Sequence, residues 1–489
     1  MTSPSSRIEP HVWRIAIVVI LGSIMSVLDT TIVNVALDPL AHDLHTSLDS
    51  IQWVVTGYLL SLAAVIPVSG WAATRFGAKP LYLVSIVLFT LGSALSGLAW
   101  SSTSLVVARV LQGLGGGMIM PVGQMILVRA AGPRNMAKIM SVIGVPIILA
   151  PVFGPTLGGL LLEHAGWQWI FYVNLPIGVA AVFAGLRLLP RDVASPETAG
   201  KLDATGLVLL SAGLVGVTYG LAESGSAGSL FSSSVVIPFL VGLALVVAFV
   251  LRALRIPNPL LDIRLYKIRA FSAASLTMFA LGAALFGGMI LMPLYFQTVR
   301  HEDAVTTGLL LAPQGIGAAI AMIASGRATE RIGGGLTSLV GSVITLVATI
   351  PFIVLGGETS YFAISAAMVV RGFGIGMSMM PSMTAAYAVL RPDQINHATP
   401  QMNVLQRVGG SIGTAILAVV LQGKITDLGR SASPDQLAGA FGGTFWWVFA
   451  ISLVAMLPTV LLTVIERGVR GSGEATTEVS QEALLEAAA

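Results

Sequence analysis

The sequence predicts an all-α integral membrane protein with fourteen transmembrane helices: two six-helix bundles plus two inserted helices. Three observations support this fold class. Hydrophobic residues make up 55% of the chain and charged residues only 10%, unlike a soluble domain. Apolar stretches of about 20 residues, the length of a membrane-crossing helix, recur between Val12 and Ile465. The segment Ser69–Gly77 returns as Ser325–Gly333, which indicates an internal repeat.

Each apolar stretch is interpreted as one span, in chain order. The first is too long for a signal peptide and has no small-residue cleavage site, so we expect it to remain in the mature protein. The seventh and eighth, Ala204–Ala222 and Val235–Leu251, are short. The spans begin near Val12, Ile51, Pro80, Thr103, Ile139, Trp167, Ala204, Val235, Phe271, Ala304, Ile332, Tyr361, Ala398 and Gly442.

The basic residues predict how the spans are oriented. Most of the 26 Lys and Arg residues fall in loops on the side of the two termini, and loops rich in these residues stay in the cytoplasm. We therefore expect a multi-pass protein of the cell inner (cytoplasmic) membrane with both termini cytoplasmic. The formal net charge of +3 is too small to indicate a nucleic-acid partner. The expected partners are membrane lipids, small amphipathic molecules and protons, and the expected state is a monomer.

The repeat divides the chain into two similar halves. Besides the loop pattern, Arg109–Pro121 in the fourth span resembles Arg371–Pro381 in the twelfth. Spans one to six thus correspond to spans nine to fourteen, a plan typical of transporters that rock around a central site. The predicted segments are a cytoplasmic N-terminus (1–11), a first bundle (12–190), a linker with the two inserted helices (191–269), a second bundle (270–466) and a polar cytoplasmic tail (467–489).

A single carboxylate, Asp29, lies near the outer end of the first span. A charged group within the membrane costs about 2.5 to 3.5 kcal/mol on insertion scales and usually carries protons, ions or substrate. Asp29 lies 17 residues along its span, about 25 Å. Arg109 lies 6 residues below the outer end of the fourth span, about 9 Å. In a core of about 30 Å, the two depths are close enough for an ion pair.

Such a pair suggests proton exchange. Burial favours the protonated form of a carboxylic acid, whereas a neighbouring guanidinium favours the ionised form. A contact with Arg109 that forms and breaks would therefore let Asp29 bind a proton in one conformation and release it in another. Two alternatives remain open: a static ion pair that holds the first and fourth spans together, and direct contact of Asp29 with a cationic substrate.

The second half carries no equivalent acid. Residues 271–298 and 304–326 contain no carboxylate, so Arg371 has no evident partner in the membrane. A snorkelling or carbonyl-capping role and a functional role both remain open for it. Arg407, in the thirteenth span, is assigned to packing and orientation. One membrane carboxylate favours monovalent or neutral substrates over dications.

Two motifs resemble those of the major facilitator superfamily. The fourth-span motif around Arg109, Gln112 and Gly113 resembles that family's fourth-helix signature. The loop after the second span resembles its cytoplasmic loop signature, through Gly70, Arg75, Gly77 and Lys79. The resemblance implies the major facilitator fold, and it implies that this loop takes part in gating.

Two further motifs are similar to those of drug:proton antiporters in the same superfamily. Leu28–Ala36 is similar to their first-helix motif. The fifth span is similar to their antiporter motif through Gly154, Pro155, Gly158 and Gly159. With fourteen spans, the chain resembles the EmrB/QacA-type subfamily over roughly Val12 to Arg467. This resemblance implies export driven by a proton gradient, with no other cofactor.

The two copies of the loop signature differ at one position. The family carries an acid directly before the arginine of the signature, but the first copy has Thr74 in that place. The second copy has Glu330, followed by Arg331. If the loop closes the cytoplasmic side through a charge contact, as the resemblance implies, we expect weaker closure in the first half.

Other polar groups in the spans are candidates for substrate binding. The chain has no cysteine and its six histidines show no metal-ligand spacing, so we predict no metal site. The spans hold no cluster of nucleophile and base, so we predict neither catalytic residues nor an enzyme. The candidate substrate-binding residues are Asn34, Tyr58, Gln112, Tyr295 and Gln314.

The sequence thus predicts a proton-coupled multidrug efflux antiporter that exports amphipathic cationic or neutral compounds by alternating access. Export of a lipid or a native metabolite on the same fold is the alternative. An uptake symporter is disfavoured by the antiporter motif.

Overall fold

The computed structural model describes residues 9–190, 196–429 and 432–486, and the regular structure of these segments is entirely helical. Short 3-10 turns lie at Val33–Ala36, Ile66–Val68 and Ile263–Lys267. The α-helices are α1 Pro10–Ile32, α2 Leu37–Asp43, α3 Leu48–Ile51, α4 Trp53–Val65, α5 Ser69–Phe76, α6 Ala78–Gly97, α7 Ser102–His164, α8 Gln168–Tyr172, α9 Asn174–Leu188, α10 Pro196–Ala199, α11 Ala204–Ala227, α12 Ser233–Arg255, α13 Arg269–Met289, α14 Leu291–Thr298, α15 Ala304–Ile332, α16 Gly334–Ile353, α17 Tyr361–Ala388, α18 Ile395–Leu428 and α19 Pro434–Glu486.

These helices confirm the all-α membrane fold. In the described part of the chain, 13 helical segments are long and apolar enough to cross a bilayer. The predicted fifth span, from Ile139, falls in the second part of α7, where many side chains lie outside the described residues. The seventh and eighth spans, short by sequence, are the full-length helices α11 and α12, with 24 and 23 residues.

Several spans are bent or interrupted. The fourth and fifth predicted spans are joined in α7, which leaves helical geometry at Gly132, with φ 64° and ψ 172°. Glycine tolerates this positive φ because it has no β-carbon. The second span passes from α4 to α5 through the turn at Ile66–Val68, where Pro67 cannot donate a backbone hydrogen bond.

The repeated loop has the same backbone geometry in both halves. Gly77 separates α5 from α6 with φ 89°, and Gly333 separates α15 from α16 with φ 94°. Each glycine ends one helix and begins the next, in a conformation that a side chain rarely permits. The two turns mark the end of the molecule that the sequence predicts to be cytoplasmic.

The inserted helix α11 packs across both bundles. On the side of the first bundle, Ser211 donates a hydrogen bond to the Ala64 carbonyl at 2.6 Å. On the side of the second bundle, Val217 and Leu221 pack with Ala415 of α18. α12 packs on α11, but only 17% of its membrane-spanning stretch is buried in the protein. Most of its surface is therefore available to lipid.

Candidate functional site

Asp29 lies fully buried in the last turn of α1. Its Oδ2 accepts a hydrogen bond from Arg109 Nη1 at 2.6 Å. Its Oδ1 accepts hydrogen bonds from Gln112 Nε2 at 2.8 Å and from Asn174 Nδ2 at 3.2 Å. Three donors, one of them charged, thus engage both oxygens of the carboxylate. The structure thus brings Asp29 and Arg109 into direct contact.

Arg109 of α7 interacts with several neighbouring groups of the protein. The residue is only 1% exposed. Besides the ion pair with Asp29, its Nη1 donates to Gln112 Oε1 at 2.7 Å and its Nε donates to the Val54 carbonyl at 3.2 Å. Its guanidinium carbon lies 4.1 Å from the centroid of the Tyr58 ring, within range of a cation–π contact. The guanidinium is therefore an oriented, desolvated donor for Asp29.

Glycines allow the helices around this centre to approach closely. A β-carbon at Gly92 of α6 would lie 2.6 Å from Cα of Gln112. One at Gly113 of α7 would lie 2.6 Å from the carbonyl oxygen of Tyr58 in α4. Small residues at such contacts let membrane helices pack with their backbones close together, and this packing sets the short distances at Asp29.

Asn174, at the start of α9, is the member of this centre that the sequence analysis does not identify. Its Nδ2 also contacts Ser93 Oγ at 3.1 Å, and Ser93 Oγ in turn donates to the Phe171 carbonyl at 2.9 Å. The available signal is a single amide within an apolar run. That signal is weaker than a lone charge because a neutral amide costs less to bury.

The candidate substrate-binding residues are divided between separate regions. Tyr58 and Gln112 are fully buried at the Asp29 centre. Asn34 is exposed, and its Nδ2 donates to the Thr30 carbonyl one turn earlier, at 3.3 Å. The structure thus places Tyr58 and Gln112 together and leaves Asn34 outside this cluster.

The other two candidates lie in the second bundle. The Tyr295 hydroxyl donates to the Gly356 carbonyl at 2.7 Å, in the loop between α16 and α17. Gln314 Oε1 in α15 accepts a hydrogen bond from Arg371 Nη1 at 3.2 Å. Tyr295 and Gln314 therefore belong to different environments from each other and from the Asp29 centre.

Arg371 of α17 is buried without an acid. It is 1% exposed, and its Nε has no hydrogen-bond partner. Within the described residues, no carboxylate lies within ion-pair distance of it. A β-carbon at Gly288 of α13 would collide with its Nη2 atom. Because the side chain is buried, it does not snorkel to the membrane surface.

Thr74, in the first copy of the loop signature, contacts the second bundle through a neutral group. Asn396 Nδ2 of α18 donates to Thr74 Oγ1 at 2.7 Å. Asn396 Oδ1 accepts from Arg129 Nη2 of α7 at 2.9 Å. A β-carbon at Gly70 would collide with the Asn396 carbonyl. In the same loop, Lys79 Nζ donates to carbonyls at the end of α9, at 2.6 and 3.0 Å.

The second copy of the signature contacts the first bundle through a charge pair. Glu330 Oε1 lies 3.3 Å from Lys138 Nζ of α7, and both side chains are partly exposed. Arg75 and Arg331 occupy the last turns of α5 and α15, beside the glycine turns at Gly77 and Gly333. Deeper in the interface, Asn403 Nδ2 donates to Gln124 Oε1 at 2.8 Å. These contacts join the bundles at the predicted cytoplasmic end.

The antiporter motif packs against the chain just after Asp29. A β-carbon at Gly154 would collide with Thr31, and one at Gly158 would lie 3.1 Å from the Ile32 carbonyl oxygen. Pro155 and Gly159 lie in the same stretch of α7. This part of α7 therefore packs closely against the end of α1.

A buried acid–arginine centre, two bundles with a repeated loop and closure between the bundles at one end define the class of protein: a multi-pass membrane transporter. Comparison with known proteins agrees. The chain matches the Major Facilitator Superfamily over residues 19–414. It belongs to that superfamily.

Relatives and solved structures share most of the chain. It is 40% identical over 419 residues to the "Multidrug resistance protein B homolog" of Mycobacterium tuberculosis (strain ATCC 25618 / H37Rv), covering 85% of this chain and 77% of the relative. It is 30% identical over 441 residues to the "Tetracenomycin C resistance and export protein" of Streptomyces glaucescens, covering 90% and 80%. The human organic anion transporter MFSD10 shares the fold, with a TM-score of 0.61, 16% identity and coverage of 93% and 100%.

Proposed function

We propose that this protein is a proton-coupled multidrug efflux antiporter of the fourteen-helix, EmrB/QacA-type subfamily, which exports amphipathic compounds across the inner membrane. The buried contact between Asp29 Oδ2 and Arg109 Nη1, at 2.6 Å, carries the proposal, because an ionisable group within the membrane generally serves proton, ion or substrate movement. The names of the relatives, a multidrug resistance protein and an antibiotic export protein, support the direction of transport.

Protonation of Asp29 is the proposed coupling step. In the conformation described, the carboxylate is engaged by Arg109, Gln112 and Asn174. Adding a proton removes the negative charge that holds Arg109, so the end of α1 is freed from α7 and α9. Because Gly154 and Gly158 pack on that end, the change reaches the part of α7 that forms the interface between the bundles. Loss of the proton restores the pair.

The gating contacts complete the alternating-access cycle. The pair of Lys138 with Glu330 and the link of Asn396 with Thr74 close the predicted cytoplasmic end. Opening that end to admit cargo requires these contacts to break. Closure through Thr74 is neutral and closure through Glu330 is charged, as expected if the first copy of the loop holds less tightly.

Cationic or neutral amphipathic cargo follows from the single carboxylate of the first span, Asp29. Asp29 is fully buried and both of its oxygens accept hydrogen bonds from the protein. A cationic compound can therefore exchange with the proton only after Arg109 has moved, whereas a neutral compound needs no contact with Asp29.

The test uses purified protein in liposomes that contain a pH-sensitive dye, with ethidium added under an imposed proton gradient. Wild type should show ethidium-dependent proton movement, and Asp29→Asn should abolish it. Asp203→Asn is the matched control, because Asp203 is also buried and paired, with Arg252 Nη2 at 2.9 Å, but lies at the inserted helices. The control should retain proton movement.

Proton and ethidium movement that survive unchanged in Asp29→Asn would make Asp29 a structural residue and refute the proposed coupling. Proton movement in the wild type that does not depend on ethidium, but depends on a lipid added to the liposomes, would favour the lipid exporter on the same fold.

A further inference from the structure

The second bundle buries a positive charge that no acid in the described chain neutralises. Arg371 makes one hydrogen bond, to Gln314, and its Nε has no partner. An uncompensated buried ion costs several kcal/mol, and ionisable groups in the membrane interior generally mark a ligand or ion path. Arg109, the corresponding arginine of the first bundle, has Asp29. The difference indicates that the partner of Arg371 comes from outside the chain.

A second guanidinium lies at the interface between the bundles. Arg407 of α18 is partly buried, and it makes no hydrogen bond or ion pair among the described residues. It follows Asn403 by four residues and so shares its helix face, and Asn403 contacts Gln124 of the first bundle. Arg407 therefore lies on the helix face that meets the first bundle.

The two arginines lie at different levels along α13. Gly288 of α13 faces the Arg371 guanidinium, whereas Gly282, six residues earlier, faces the carbonyl of Gln406, the neighbour of Arg407. At 1.5 Å per residue these levels differ by about 9 Å. Arg407 therefore lies nearer the predicted cytoplasmic end than Arg371.

Arg371 also lines a small cavity. Its lining includes Leu281 and Leu285 of α13, together with Thr345, Ser378 and Met379. The cavity volume is about 20 Å³, room for about one water molecule, so a carboxylate or phosphate group reaches the guanidinium only after the surrounding side chains move. Methionine has three rotatable bonds and adapts to ligands of different shape, so Met379 is the most adaptable member of this lining.

We propose that the second bundle contains an anion-recognition site in which Arg371 binds a carboxylate or phosphate group carried by the cargo. This inference rests on the proposed export function and adds to it a preference, among amphipathic compounds, for those that bear such a group. A zwitterion meets this requirement while staying neutral overall. Guanidinium suits these groups because it forms two parallel hydrogen bonds with them.

Binding of two matched dyes to detergent-purified protein tests the site without any gradient. Rhodamine B carries a free carboxylate, and its ethyl ester has the same ring system with that charge removed. Fluorescence polarisation should show at least tenfold tighter binding of rhodamine B to the wild type. Arg371→Gln should remove the preference, and Arg371→Lys should keep part of it. Arg391→Gln is the control, because Arg391 is exposed and paired with Asp393.

Gly288→Asp keeps the test informative if Arg371→Gln does not fold. An aspartate there would contact Arg371, supply the anion internally and abolish the preference for rhodamine B. Sodium phosphate or sodium chloride, each added alone to the complex with rhodamine B, tests whether the site binds a free anion or an anionic group carried by the cargo. Displacement of rhodamine B only by cargo-like carboxylates supports the proposal. Complete displacement by millimolar phosphate or chloride would show a free-anion site and overturn it.

Equal binding of the two dyes to the wild type, or a preference that survives Arg371→Gln, would also overturn the proposal. The outcome is separable from that of the export function. Liposomes that show no proton-coupled transport, together with a dye preference that depends on Arg371, would refute antiport and leave the anion site standing.

Discussion

The two bundles contain corresponding arginines in opposite electrostatic situations. Arg109 is buried with Asp29 at 2.6 Å, whereas Arg371 is equally buried with only a neutral amide, Gln314, at 3.2 Å. The surrounding positions correspond as well. The spacing that relates Ser69–Gly77 to Ser325–Gly333 also relates Tyr58 to Gln314, and both of these residues contact the arginine of their own bundle.

Under the two proposals above, one fold separates two tasks. In the first bundle, the helix that faces the arginine supplies an acid, so charge is balanced within the protein. In the second bundle, α13 presents Gly288 to the arginine, so the positive charge stays available to a ligand. An internal pair suits proton exchange, and an unpaired cation suits recognition of an anion.

The largest expected difference between the bundles is in stability. Arg109→Met leaves the Asp29 carboxylate buried without its charged partner, which should cost about 3 to 5 kcal/mol. Arg371→Met removes a buried charge that has no counter-ion, and should be neutral or stabilising. Thermal unfolding in detergent micelles would compare both variants with the wild type. Equal losses of stability would show that Arg371 has a counter-charge in the folded protein after all.

A substitution at Gly288 should make the second bundle resemble the first. Gly288→Asp places a carboxylate against Nη2 of Arg371, the flexible end of a long side chain, and should stabilise by about 1.5 to 3 kcal/mol as a charged hydrogen bond forms. Gly288→Asn is the control of similar volume. Combined with Arg371→Met, Gly288→Asp should destabilise instead. A double-mutant cycle measures whether the two substitutions are coupled. If Gly288→Asp also raises the stability in the Arg371→Met background, the ion pair is not the cause of the gain.

Asn174→Ala should lower the stability of the protein by less than Arg109→Met does. The change removes one of the three donors to Asp29, at 3.2 Å, with an expected cost of about 1.5 kcal/mol. Ser93→Ala removes the contact behind Asn174 and the hydrogen bond to the Phe171 carbonyl, but no donor to Asp29, and should cost less. Thermal unfolding of the two variants, alone and in the Asp29→Asn background, gives the coupling free energy of each residue with Asp29. If Asn174→Ala lowers the stability by the same amount in the Asp29→Asn background, Asn174 does not act through the carboxylate.

The smallest effect is expected at the end that joins the bundles. Lys138→Gln and Glu330→Gln each break a partly exposed pair, worth about 0.2 to 1 kcal/mol, and the double variant should cost no more than either single one. Disulfide or fluorescent probes across the interface should show a modest shift toward the form open at that end. Strictly additive losses would mean that the two residues act separately.

Much of this protein was determined by local properties of the sequence. Length and hydrophobicity determined the all-α membrane class, because each span must satisfy its own backbone hydrogen bonds within one apolar stretch. The repeat showed two related halves. The cost of burying a charge in the membrane identified Asp29 and Arg109 as candidate functional residues. Motif spacing further placed Gly77 and Gly333 at equivalent turns.

Only the tertiary structure decided which distant side chains meet. It joined the fourth and fifth spans in α7, added Asn174 to the Asp29 centre, and separated Asn34, Tyr295 and Gln314 from that centre. Among the described residues, it also left Arg371 without an acid. These outcomes depend on how helices far apart in sequence rotate and approach each other, and that packing is governed by small residues and side-chain shape, which helix periodicity does not encode.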